Sequence, residues 1–103
     1  MKYLPIVLTA AALAASPFAT HAGDAAAGKA KTAVCMGCHG PDGNSTNPIW
    51  PKLAGQHAAY LVKTLKDFKS GARKDPSMNA MVAPLTDEDI ENIAAYYASQ
   101  KQR

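Results

Sequence analysis

The chain has 103 residues, 11 Lys and Arg against 8 Asp and Glu, a formal charge of +3 and 48% hydrophobic residues. That is enough for one small domain with a modest core. No basic run with interleaved aromatics appears, which excludes nucleic acid as an expected partner.

In chain order, the first stretch reads as an address. Lys2 is a positive start, Leu4 to Ala15 is an apolar run too short for a membrane span, and Ser16 to Ala22 is a small-residue stretch broken by Pro17. Thr20 and Ala22 occupy the two positions that a signal peptidase reads. The expected division is a signal peptide over 1–22, cut before Gly23, and a single domain over 23–103, exported to a bacterial periplasm and not membrane-spanning after cleavage. An uncleaved anchor is the alternative.

Asp24 is a suitable N-cap for a first helix over Ala25 to Val34. Gly28 costs about 1 kcal/mol inside that helix relative to alanine, which suggests close approach by another helix.

Next comes Cys35-Met36-Gly37-Cys38-His39, a C-x-x-C-H segment with the spacing that attaches a c-type haem. Each thiol can add to one porphyrin vinyl group, and the following His39 then falls where it can ligate the iron. Three other readings apply to a Cys pair. A thioredoxin-like dithiol needs a βαβ setting, absent here. A zinc site needs further ligands, and His21 and His57 do not complete a finger spacing. A Cys35–Cys38 disulfide closes too small a loop to staple a domain. The segment therefore predicts one haem c, covalent through Cys35 and Cys38. Its apolar plate would staple a domain this small, so the haem-free chain is expected to be largely unfolded. Without Lys2 and with two ionised propionates, the holoprotein is about neutral.

Gly40 to Pro48 is rich in Gly, Pro, Asn and Asp and reads as loop. Ile49 to Gly55 is apolar without helical period and is expected to line the haem pocket; Trp50 is either core filler or a haem contact. Gln56 to Ser70 predicts a helix, with Leu61, Leu65 and Phe68 on one stripe and Gly71 as its stop. His57, in its first turn, is expected to be exposed or capping. Ala72 to Pro84 reads as an irregular loop holding Met78 and Met81. Thr86 caps a last helix running to about Gln100, with Asp89 reaching back and Leu85 and Ile90 as a staple. No strand pattern appears, so the fold class is all-α, with three to four helices and long loops wrapped around one covalent haem.

His39 alone would leave the iron open on its other face. A thioether can close it and raise the reduction potential. Met36 sits inside the attachment segment and cannot reach over; Met78 and Met81 remain.

Cys35–Gly40 with Asp42-Gly43-Asn44, Pro51–Gln56, Met78–Met81 ahead of Pro84-Leu85-Thr86-Asp87, and Ile93–Tyr97 resemble class I c-type cytochromes. The likeness is to the small bacterial periplasmic type and to single-haem halves of two-haem respiratory cytochromes. It implies a cytochrome c fold over nearly all of 23–103. It also implies that the ligand methionine stands seven residues before Leu85, so that His39 and Met78 hold the iron. By the same resemblance Pro51 offers its carbonyl to His39, Gly28 lies against Tyr96 where the first and last helices cross, and Gln56, Trp50, Arg73 and Lys74 stand near the propionates. The function so implied is one-electron transfer, not enzymatic catalysis. The expected partners are a quinol-oxidising complex and a terminal oxidase or other reductase, with no small-molecule substrate. The alternatives are a haem subunit of a larger dehydrogenase or oxidase complex, and a gas-binding or peroxide-reactive haem protein.

Overall fold

The structure is a computed structural model; it describes residues 2–9 and 23–103. Within these residues there are five helices and no strand: α1 (Ala25–Lys29), α2 (Ala33–His39), α3 (Ala58–Ser70), α4 (Pro76–Val82) and α5 (Asp87–Ala98). The all-α expectation holds, with five helices where three to four were expected. Residues 10–22, with the expected cleavage site before Gly23 and most of the expected leader, lie outside the described residues.

The first helix is shorter than its alanines suggest. Asp24 caps it, its carboxylate accepting from the N–H groups of Ala26 and Ala27 at 2.9 and 3.1 Å. The helix stops at Lys29 because Thr32 turns back on it: the buried Thr32 hydroxyl donates to the Lys29 carbonyl at 2.8 Å. That side chain competes for the carbonyl that the next turn would use. The chain restarts as α2, which carries the whole C-x-x-C-H segment in helical form.

Gly28 is where α1 meets α5. A Cβ there would collide with the backbone of Asn92 and Ile93, rather than meeting the Tyr96 ring. The Asp24 N–H donates to Asn92 Oδ1 at 2.8 Å and ties the same crossing.

α3 begins at Ala58, two residues later than expected, and ends at Gly71 in the left-handed region, φ 83°. Leu61 and Phe68 are buried, with Val62 and Leu65 packed against the core. His57 is exposed. Residues 72–84 depart from the sequence reading, because they contain α4. Asp75 caps it, accepting from Ser77 and Met78 N–H at 3.0 Å each, and Pro76 follows where a missing N–H costs nothing. Asn79 fastens the turn to α3 by donating to the Phe68 carbonyl at 2.6 Å.

α5 starts with the expected capping box, Thr86 and Asp89 exchanging hydrogen bonds at 3.0 Å in each direction. Leu85, Ile90, Ile93, Ala94, Tyr96 and Tyr97 form the centre of the core, against which α1 and α3 pack.

Candidate haem site

A cavity of about 540 Å³ opens between α2, the 49–56 segment, α3, α4 and α5. Cys35, Cys38, His39, Met78 and Met81 all line it, in walls otherwise built from Leu61, Leu65, Phe68, Val82, Leu85 and Ile93. The α3 stripe, read from sequence as a helix face for the core, is thus also cavity wall. A wider groove of about 630 Å³ between Asn44–Pro48, Trp50–Lys52 and Arg103 contains no thiol, imidazole or thioether, so the chemistry belongs to the first cavity.

His39 is buried, and its Nδ1 lies 2.8 Å from the Pro51 carbonyl oxygen. A carbonyl can only accept, so Nδ1 carries the proton and Nε2 keeps its lone pair. The ring is held in the tautomer and orientation of a metal ligand. Cys35 is half-buried and Cys38 exposed, both as free thiols; burial, more than any neighbour, pushes the Cys35 thiol up. Among the described residues no group of three or more His, Cys, Asp or Glu side chains gathers as a metal site. The absence of strands in these residues removes the thioredoxin reading.

The loop after His39 is cinched before it reaches Pro51. Gly43, at φ 83°, accepts from the N–H groups of Leu53 and Ala54 at 2.8 and 3.1 Å. Asn44 bridges to the residues beyond α5, donating to the Lys101 carbonyl at 3.0 Å and accepting from the Arg103 N–H at 2.8 Å. Asp42 pairs with the Arg103 guanidinium at 2.5 Å. That hydrogen bond, ahead of those from Asn44, holds the Asp42 carboxyl down at about 2.

Met78 is half-buried and packed on the core, whereas Met81 is 42% exposed. Of the four residues expected near the propionates, Gln56, Trp50 and Arg73 line the cavity and Lys74 is not part of its wall. Arg73 lies over the Phe68 ring, 4.6 Å from its centroid. Sequence reasoning missed Tyr97 as a site residue. It forms part of the wall, and its buried hydroxyl oxygen has no hydrogen-bond partner among the described residues. Its place on the α5 stripe announces burial but nothing about the hydroxyl.

These residues fit a porphyrin. The volume lies in the cofactor range of about 300–1,000 Å³, the walls are apolar, two thiols sit at one side, and an oriented imidazole has a free Nε2. The fold and site define a small helical haem-binding protein. The cytochrome c family model matches residues 25–101, and the chain belongs to that family. By that membership it carries covalent haem c. It is 55% identical to cytochrome c4 of Thiocapsa roseopersicina over 83 residues, covering 80% of this chain and 43% of that one. It is 49% identical over 83 residues to cytochrome c-554(548) of Halomonas halodenitrificans, covering 78% of this chain and 100% of that one. The crystal structure of reduced recombinant cytochrome c4 from Pseudomonas stutzeri superposes with a TM-score of 0.76 at 52% identity, over 80% of this chain and 48% of that one. The chain thus spans less than half the length of these two cytochrome c4 relatives. Among the described residues no helix is long and apolar enough to cross a membrane.

Proposed function

We propose that the chain is a periplasmic one-electron shuttle of a bacterial respiratory chain, working between a quinol-oxidising complex and a terminal oxidase or other reductase. Cys35 and Cys38 would form the two thioether links to the haem, and His39 and Met78 would hold its iron. Bound there, haem c supplies one-electron exchange between Fe(III) and Fe(II). The chain's own work is to keep that site closed and rigid. The carrying observation is that His39, locked on Pro51, and the half-buried Met78 share one apolar cavity. The packing of Met78 supports it over the exposed Met81. Leu61, Leu65, Phe68 and Val82 keep water from the site, which favours exchange without ligand change. Met36 is exposed on α2 outside the cavity wall, beside Gly37 and Gly40, an uncharged stretch suited to small, transient partner contacts.

Spectroelectrochemical titration of the purified holoprotein tests the ligation. Met78→Ala is expected to lose the weak far-red band of iron–thioether ligation and to drop in potential, while Met81→Ala keeps both. The reverse pattern overturns the assignment. Haem-stained protein beginning at Gly23 in the periplasmic fraction is the expected result for location; retention as uncut protein in the membrane fraction contradicts it.

A further inference from the structure

We infer that Asn44 is a positioning residue for electron transfer: by gripping the residues after α5 it holds the Pro51 carbonyl on His39, and so sets how strongly that imidazole donates to the iron. This rests on the proposed ligation by His39.

Pro51 cannot anchor itself. It has no N–H to donate, so its carbonyl is aimed by whatever fixes its neighbours. On one side Leu53 and Ala54 donate to the Gly43 carbonyl at 2.8 and 3.1 Å. On the other side Trp50 N–H donates to the Asn47 carbonyl at 3.1 Å, and the Ser45 hydroxyl donates to the same oxygen at 3.0 Å. These bonds stay within residues 43–54 and fix the shape of the loop. Its ends hang from α5: the Tyr96 hydroxyl donates to the Pro41 carbonyl at 3.2 Å, and Gly55 N–H donates to the Tyr97 carbonyl at 2.9 Å.

Asn44 ties the interior of the loop. It is 9% exposed and both ends of its amide are used, Nδ2 on the Lys101 carbonyl and Oδ1 on the Arg103 N–H. The same residue closes the turn that leaves His39: a Cβ at Gly40, φ 84°, would stand 2.8 Å from the Asn44 carbonyl oxygen. The gripped tail in turn holds the residue after Pro51, because Lys52 Nζ donates to the Arg103 carbonyl. The Lys52 and Arg103 side chains are exposed and hold little on their own. A buried amide bonded at both ends is the firmer tie. The bond from His39 Nδ1 to Pro51, at 2.8 Å, makes Nε2 a more basic ligand, which favours Fe(III). Letting Pro51 drift weakens that bond and shifts the balance toward Fe(II).

The test compares holoproteins. Asn44→Ala is expected to keep covalent haem and to raise the Fe(II)/Fe(III) ratio at a fixed electrode potential by roughly threefold, about 28 mV at about 59 mV per tenfold. The His39 Nδ1–H, followed by NMR in the reduced protein, should exchange with solvent several times faster. A chain ending at Gln100 removes the gripped residues and leaves Asn44; it should show both shifts, and adding Asn44→Ala to it should change neither further. Thr86→Ala, which weakens α5 at its other end, is the control for lost stability and should move neither readout. An unmoved potential or exchange rate in Asn44→Ala or in the shortened chain, additive shifts, or equal shifts in Thr86→Ala overturn the inference alone. Oxidised protein whose His39 ring resonances lack the paramagnetic shift of an iron ligand removes the ligation reading and the inference together.

Discussion

Gly28→Ala sets two effects of one methyl group against each other. In isolation the change favours α1 by about 1 kcal/mol, because alanine is the better helix former. In the fold the new Cβ meets the carbonyl and peptide carbon of Asn92 and the nitrogen of Ile93. These are backbone atoms inside α5 and cannot rotate away as a side chain would. Their collision belongs near the top of the range for overpacking, about 3 kcal/mol. Pushing α1 off α5 also weakens the bond from Asp24 N–H to Asn92 Oδ1, worth about 1 kcal/mol. The net loss is about 3 kcal/mol, or roughly 12–24 °C in melting temperature for a domain of this size. Thermal melts of the holoprotein by circular dichroism measure it. Gly37→Ala is the matched control, since a Cβ there meets nothing within 4 Å and α2 should gain slightly. If the two variants melt together, close approach is not why glycine stands at 28.

Other expectations follow from the same geometry. The Asp42 carboxyl sits at about 2 in the fold, chiefly through Arg103, against about 3.9 when unfolded. The fold favours its ionised form, so this contribution is present above about pH 4 and fades as pH falls toward 2. Asp89, lowered mainly by the Thr86 N–H, acts in the same sense. A melting series from pH 6 to 2 should therefore fall most steeply below pH 4, and less steeply in Asp42→Asn. Thr86→Ala removes the acceptor for the Asp89 N–H and should cost about 1 kcal/mol in chemical denaturation, with the haem spectrum unchanged. Removing haem would leave about 540 Å³ to collapse or flood, more than three times the roughly 150 Å³ engineered cavity that stays dry. Haem-free chain should show no cooperative melt, and a sharp transition would show that the apolar walls close on themselves.

What the sequence made legible divides by the range of the forces involved. The C-x-x-C-H segment, the Thr86–Asp89 box and the Gly71 stop are local: each works through residues within four positions, so spacing alone exposes them. The break at Thr32 was hidden because Ala25–Ala30 favours helix and one buried hydroxyl overrides that preference. The α4 helix was hidden differently. Asp75-Pro76 is a proper start, but seven residues are too few for a period to emerge. The turn is held by Asn79 reaching the carbonyls of Phe68 and Arg73, a tertiary contact.

That hidden helix bears directly on the ligand question. As loop residues, Met78 and Met81 would be equivalent candidates, separable only by counting back from Leu85. On α4 they stand at i and i+3, on one face, and both line the cavity. Asn79 anchors the N-terminal turn of α4 to α3, and Met78 belongs to that turn. Met81 lies one turn on and is 42% exposed. A short helix with one fixed end thus makes two neighbouring thioethers unequal. The same anchoring suits a ligand that must stay in place while the iron changes charge.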